Sequence, residues 1–132
     1  AIPPSTSVAW IFEAATPDFT AWGFSDEQQA DLLAGETVLE ENAYGPQPTP
    51  TFPAFWADGQ ANLLLGNDIA LDCPVRLLHG QQDADVPWEI ALRLANALRS
   101  ADVQVTTVKD GDHRLSREAD IALLLRILAA LD

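Results

Sequence analysis

The sequence predicts an α/β fold, because two strand-like runs each lead through a polar loop into an amphipathic helix. The strand-like runs are residues 74–80 and 103–108. Apolar residues then recur every three or four positions over residues 88–99 and 118–131, the period of a helix packed by one face. Strands that alternate with helices in this way indicate a parallel sheet.

A further strand is predicted near the start of the chain, over residues 8–13. The run from Val8 to Phe12 is continuously apolar, as in a strand that is buried on both faces. The Glu-Ala-Ala that follows it leaves the end of a helix as the alternative. Pro17 ends either element, because proline disfavours helix at the residue before it.

Residues 20–66 form a predicted insertion between the first two strands. Ser25 and Gln28 have the spacing of a capping box, so we expect a helix over residues 26–34 that ends at Gly35. Prolines argue against regular structure across much of residues 36–53. An aromatic cluster then follows in a predicted short helix that ends near Asp58-Gly59, and it either lines a substrate pocket or forms the core of the insertion.

The loops after residues 80 and 108 carry an acid and a histidine. Loops at the carboxyl ends of parallel strands gather at one edge of the sheet, so we expect Asp83 and His113 to meet there. Gly111 is expected to let the backbone turn sharply. An imidazole titrates near neutral pH, and a carboxylate beside it forms the orienting half of a Ser-His-Asp triad. The alternative is a surface loop whose aspartates cap the next helix.

These loops resemble the end of an α/β-hydrolase. In that fold the triad acid follows a strand as G-x-x-D-x-x-V, here residues 80–86, and the triad histidine follows the last strand as G-D-H, here residues 111–113. Residues 71–80, 85–88 and 109–116 are similar to bacterial and mitochondrial serine esterases known as palmitoyl-protein thioesterases and mycophenolic-acid acyl-glucuronide esterases. The likeness extends from about Val8 to Leu131 and is weakest over residues 42–55.

The resemblance implies the C-terminal part of an α/β-hydrolase, with three mostly parallel strands, flanking helices and a helical lid at residues 20–66. It implies Asp83 and His113 as the catalytic residues, with Asp83 preferred to Asp85 because Asp83 holds the motif position. His79 is expected to be structural, since a triad needs one histidine. The side chains that we expect to contact the substrate are Phe52, Phe55, Trp56 and Trp88.

The chain departs from the family at the nucleophile, which lies in G-x-S-x-G at a strand-to-helix elbow. None of the seven glycines is followed by serine two positions later and by glycine four positions later. The family's first five strands and oxyanion-hole loop would lie before Ala1. We therefore expect the chain alone to be inactive, and to supply the acid and the histidine of a serine hydrolase acting on esters or thioesters. The alternative is a non-catalytic remnant that acts as an interaction or oligomerisation module.

The amino-acid composition excludes some classes of binding partner. The net charge of −13, with seven basic residues, argues against nucleic acid and against an anionic membrane surface. The lone Cys73 gives no disulfide and no cysteine-based metal site. We expect no cofactor and no metal, with one alternative. The oxygens of Asp83, Asp85, Asp110 and Asp112 together with His113 are suited to Ca²⁺ or Mg²⁺, but their spacing matches no EF-hand loop.

The strand between Val8 and Phe12 is expected to have an unpaired apolar edge, because its neighbour in the family's sheet would precede this sequence. Such an edge is a template for another chain, so we expect a complementary N-terminal half or a homodimer across it. No basic segment followed by an apolar core opens the chain, and we expect a cytoplasmic protein. The chain also begins without Met, which suggests a processed protein or a piece of a longer one.

Overall fold

The computed structural model describes residues 9–42 and 44–131, which fall into two compact units. One unit contains the described residues up to Pro17 together with those from Leu64 onward, and the other is Asp18–Leu63. The predicted insertion, residues 20–66, covers nearly the same stretch as the second unit. Its role as a lid stays a prediction. In chain order the elements are β1 (Trp10–Glu13), α1 (Phe19–Trp22), α2 (Asp26–Leu33), β2 (Val38–Glu40), β3 (Thr49–Thr51), α3 (Pro53–Ala61), β4 (Val75–Gly80), α4 (Glu89–Ala97), β5 (Val103–Val108) and α5 (Glu118–Ala129).

The first unit is built on a three-stranded parallel sheet in the order β1-β4-β5, which confirms the α/β fold. Val75 of β4 lies opposite Trp10 on one side and opposite Val103 on the other. The central strand is buried along most of its length, as expected for the middle strand of a parallel sheet. Strand β1 forms within the predicted run and excludes the alternative of a helix end, while Val8 lies outside the described residues.

Helix α4 packs on this sheet through one apolar face. Its buried residues Ile90, Ala91, Leu94 and Ala97 are one or three positions apart, so they occupy a single stripe. Leu94 joins Val75 and Leu77 in the core of the unit. No helix within residues 9–42 and 44–131 has the length and the apolar character needed to cross a membrane.

The second unit has its own small core, made by Phe24, Leu32, Val38 and Trp56. The predicted capping box at the start of α2 is confirmed, because Ser25 Oγ accepts from the Gln28 backbone N–H at 3.1 Å and the Gln28 side chain accepts from the Ser25 backbone N–H at 2.9 Å. Gly35 follows the helix with a φ of 87°, a conformation that favours glycine.

Much of the described part of residues 36–53 has no regular structure, as expected, but two short strands do form there. Strand β2 pairs antiparallel with β3, and Pro50 lies opposite Leu39. A two-stranded ribbon consists only of edge strands, which tolerate a residue without a backbone N–H. Helix α3 continues through Gly59, so the expected helix end there is wrong. A Cβ at Gly59 would overlap the Thr20 side chain, with Thr20 Oγ1 only 2.8 Å away, so glycine permits close packing between α1 and α3.

Candidate active site

Two glycines bring the loops after β4 and β5 into contact at the carboxyl edge of the sheet. A Cβ at Gly80 would lie 2.5 Å from the carbonyl oxygen of Asp112 and closer still to that of Gly111. The backbone N–H of Gln82 donates to the Gly111 carbonyl at 2.9 Å, so the loops are also joined by a hydrogen bond. The expected turn at Gly111 is present, because the Gly111 backbone N–H donates to the Val108 carbonyl at 3.0 Å, but the φ of Gly111 lies outside the left-handed region. Glycine is required there for space, since a Cβ would lie 2.6 Å from the Leu115 side chain.

The contact between the loops places Asp83 beside His113. His113 Nδ1 lies 2.8 Å from Asp83 Oδ2, while Asp83 Oδ1 accepts from the backbone N–H groups of Asp85 at 2.8 Å and Val86 at 2.9 Å. The Asp83 side chain is fully buried, whereas that of His113 is 38 % exposed. A carboxylate that accepts from Nδ1 leaves Nε2 as the unprotonated nitrogen of a neutral imidazole. This is the geometry of the acid–base half of a triad, and the catalytic role of the two residues stays a prediction.

The surroundings of Asp83 keep it ionised. Burial raises the pKa of its carboxyl, but the hydrogen bonds from the Val86 N–H, from His113 and from the Asp85 N–H outweigh burial. The pKa of Asp83 therefore lies below its ordinary value. An ionised carboxylate at this position stabilises the imidazolium that His113 would become on accepting a proton.

The histidine loop is braced on both sides of His113. Asp112 Oδ1 accepts from the backbone N–H groups of Arg114 at 3.1 Å and Leu115 at 2.9 Å. Arg117 binds Asp110 through both terminal nitrogens, at 3.0 and 3.1 Å, and also binds Asp120 in the first turn of α5 at 2.8 Å through Nε. From the sequence, Asp110 and Asp112 were only alternative metal ligands or helix caps, and Arg117 had no predicted role. The structure shows that they hold the loop that carries His113.

Glu13 is a residue near the site that the sequence did not single out. It ends β1 at the same carboxyl edge of the sheet, which is the signal that could have identified it. Burial raises the pKa of its carboxyl, the charge of Asp120 raises it further, and His113 opposes the increase. Glu13 is therefore electrostatically coupled to the candidate base.

The oxygens of Asp83 and Asp85 lie within 4.8 Å of each other and of a His113 nitrogen, so these three residues of the described chain could supply ligands to a metal ion. Both oxygens of Asp83 already accept hydrogen bonds from protein groups. The carboxylate is thus satisfied by the protein itself, as in a triad acid. Asp85 is exposed, and only its backbone N–H is bound to Asp83.

The four aromatic residues expected to contact substrate are divided between the two units. Trp56 is only 6 % exposed in the core of the second unit, and its Nε1 donates to the Thr20 carbonyl at 3.0 Å. This favours the core alternative for Trp56. Phe52 and Phe55 of the same unit are 58 % and 57 % exposed, and Trp88 is half-buried at the start of α4. For these three residues substrate contact stays a prediction.

A cavity of 580 Å³ opens in the first unit beside the end of β1. Glu13 and Ala14 contribute to its wall, and most of the remaining lining is apolar, including Phe12, Leu71 and Leu94. None of the four predicted aromatic residues is among the residues that line it. Glu13 is thus common to the cavity wall and to the electrostatic surroundings of His113, whereas the predicted pocket residues do not line the cavity.

Comparisons with known proteins agree with this geometry. The chain is 43 % identical over 127 residues to rat palmitoyl-protein thioesterase ABHD10, mitochondrial, a match that covers 92 % of this chain and 42 % of the relative. The solved structure of α/β hydrolase domain-containing protein 10 from mouse superposes with a TM-score of 0.81 at 32 % identity, over 97 % of this chain and 53 % of that one. A protein from Agrobacterium vitis S4 with a provisional hydrolase designation gives the same TM-score at 36 % identity, over 93 % of this chain and 49 % of its own. No protein-family model matches the chain.

The resemblance to α/β-hydrolases is thus confirmed, and the chain spans about half of the solved structures and less than half of the curated relatives that it matches. The expected cytoplasmic location is wrong, because the rat and mouse relatives are named as mitochondrial proteins.

Proposed function

Since the chain has the fold of the C-terminal part of an α/β-hydrolase, we propose that it supplies the acid and the histidine of a serine hydrolase that acts on esters or thioesters. The hydrogen bond of 2.8 Å between Asp83 and His113 carries the proposal. The name of the rat relative, a palmitoyl-protein thioesterase, supports a thioester as one class of substrate.

In the proposed reaction, Nε2 of His113 takes the proton of a serine hydroxyl while the serine oxygen bonds to the acyl carbon. The protonated imidazole then gives this proton to the departing alkoxide or thiolate. Water then attacks the acyl-serine while His113 takes its proton; the bond between the acyl carbon and the serine oxygen breaks, the imidazolium returns the proton to that oxygen, and the acid is released. Asp83 holds Nδ1 protonated throughout and stabilises the imidazolium. No serine of this sequence occupies a G-x-S-x-G motif, so the nucleophile would come from residues outside it.

A chimaera tests the proposal directly. Residues 9–131 would replace the matching segment of the rat relative, and hydrolysis of a p-nitrophenyl ester and of a palmitoyl thioester would be measured. We expect activity in the chimaera, a loss of about a thousandfold or more in kcat/KM in His113→Gln, and little change in Lys109→Gln, an exposed change in the same loop.

The same chimaera separates the enzyme from a non-catalytic remnant. A fluorophosphonate probe should label the active chimaera and leave the 132-residue chain unlabelled, because labelling needs an activated serine. A folded chimaera that shows no hydrolysis and no labelling would refute the proposed function and would favour the remnant.

We also propose that the outer edge of β1 pairs with another strand, from a complementary N-terminal half or from a second copy of this chain. Among the described residues β1 pairs only with β4, on one side, and Trp10 is 45 % exposed and stacked on Phe12 at 5.7 Å. An edge of this kind favours strand addition. Sedimentation should show a dimer at micromolar concentration, or a heterodimer when a complementary N-terminal half is added. A stable monomer that does not bind that half would argue against it.

A further inference from the structure

His79 is among the most completely buried side chains of the described chain, with 1 % of its surface exposed. It lies one residue before the end of β4 and therefore directly beneath the loop that carries Asp83. Burying an imidazole costs free energy unless its nitrogens find hydrogen-bond partners. The partners that it finds therefore indicate what it does.

The contacts of Nε2 determine where the proton of His79 lies. This nitrogen is 2.9 Å from the carbonyl oxygen of Val86 and 3.2 Å from Oδ2 of Asp83. A carbonyl oxygen only accepts hydrogen bonds, and an ionised carboxylate likewise only accepts. Two acceptors facing one nitrogen require that nitrogen to be the donor, so Nε2 carries a hydrogen.

The same contacts surround the Asp83 carboxylate. The Val86 N–H donates to Oδ1 at 2.9 Å, and the Val86 carbonyl accepts from His79, so one residue connects the acid to the buried imidazole. Oδ2 then lies between His79 Nε2 at 3.2 Å and His113 Nδ1 at 2.8 Å. An aspartate carboxylate on its own rotates over a broad torsional minimum. Donors on both oxygens restrict this rotation and fix the direction in which Oδ2 faces His113.

We propose that His79 is a positioning residue for the Asp83–His113 pair, an imidazole that holds the carboxylate in place through its Nε2–H. By fixing Oδ2, it keeps His113 in the Nδ1–H tautomer with a free Nε2. Only the consequence for catalysis rests on the proposed function. The geometric part concerns two histidines and one aspartate of this chain and is testable without substrate or nucleophile.

Nitrogen-15 NMR of the 132-residue chain measures both tautomers. The expected result in the wild type is a protonated Nε2 on His79 and a protonated Nδ1 on His113, with the His113 signals assigned by their loss in His113→Gln. A wild-type His79 that is protonated only on Nδ1 would overturn the proposal outright, because it could not donate to Val86 or Asp83.

Two amide substitutions provide a matched pair. The Gln nitrogen of His79→Gln reaches about as far as Nε2 of histidine, whereas the Asn nitrogen of His79→Asn stops about where Nδ1 stood. We expect the ratio of Nδ1–H to Nε2–H tautomer at His113 to stay near the wild-type value in the Gln variant. It should fall about fivefold in the Asn variant, the change expected for the loss of one hydrogen bond.

A folded Asn variant with the wild-type ratio, or a folded Gln variant with a ratio as low as that of Asn, would refute the positioning role. The dispersion of the amide spectrum reports whether each variant is folded. If the Asn variant unfolds, the His79 tautomer in the wild type and the His113 tautomer ratio in the Gln variant test the proposal. Normal tautomers together with an inactive chimaera would refute the proposed function alone, so the two failures are distinguishable.

Discussion

Substituting Gly80 by alanine should separate the two loops of the candidate site. The added Cβ would lie 2.5 Å from the Asp112 carbonyl oxygen, about 1 Å inside an ordinary contact, and nearer still to the Gly111 carbonyl. These are backbone atoms, so no side chain can rotate away, and the histidine loop has to move. The Gln82–Gly111 hydrogen bond of 2.9 Å and the Asp83–His113 bond of 2.8 Å both cross this contact.

Overpacking of this kind costs about 2 kcal/mol in free energy of unfolding. For a chain of this length, that corresponds to a decrease of about 8 °C in Tm. A displacement of about 1 Å between an acid and a base also costs on the order of a hundredfold in rate. Thermal unfolding followed by circular dichroism measures the first effect, and kcat of the chimaera measures the second.

Gly66→Ala is the matched control, because nothing lies within 4 Å of its added Cβ and its φ is outside the left-handed region. This change should alter the unfolding free energy by less than about 0.5 kcal/mol or stabilise the chain slightly. If Gly80→Ala melts within about 2 °C of Gly66→Ala, the close approach of the two loops is not a constraint on the site.

Three further substitutions test other contacts. Trp56→Ala should lower the free energy of unfolding by about 3–5 kcal/mol, since it empties the core of the second unit and removes the hydrogen bond to Thr20; urea unfolding monitored by tryptophan fluorescence measures it. Ser25→Ala should cost about 1 kcal/mol in the same assay, because it removes the cap of α2. Arg117→Gln should make acid unfolding begin at a higher pH in a circular dichroism titration. The hydrogen bonds from Arg117 hold the pKa of Asp120 below its ordinary value in the folded chain. The stability that this ion pair contributes is therefore present above the pKa of Asp120 in the unfolded chain, and it is lost as the pH falls through the pKa of Asp120 in the folded chain.

Each of these predictions has a control in the same chain. Phe52→Ala, at an exposed aromatic residue of the second unit, should cost much less than Trp56→Ala, and equal losses would contradict the assignment of Trp56 to the core. Ser25→Asp should retain the cap. Arg99→Gln removes a surface ion pair to Asp72 and should alter acid unfolding less than Arg117→Gln, because Arg99 joins exposed groups whereas Arg117 binds the buried Asp120. The reverse order would refute the bracing role of Arg117.

The sequence predicted the sheet and its helices closely because burial repeats along each element. The strand predicted over residues 103–108 is β5 with the same limits, and that over 74–80 is β4 beginning one residue later. The start of α2 was also predicted correctly, since its capping box depends only on Ser25 and on Gln28 three positions later. The sequence did not predict the ribbon of β2 and β3, because the pairing of each strand depends on the other strand about ten residues away.

By itself, then, the sequence determined the α/β class and the two loops that carry Asp83 and His113, because strand periodicity and the order of strands and helices are local properties. Only the tertiary structure decided that His79 Nε2 lies 3.2 Å from Asp83 Oδ2, that the charges of Glu13 and His113 interact, and that Trp56 belongs to a core. Such contacts depend on how closely two backbone segments approach each other. At Gly80 the close approach is possible because this residue has no Cβ. No pattern along one strand encodes that distance, because it is set by the packing of both loops together.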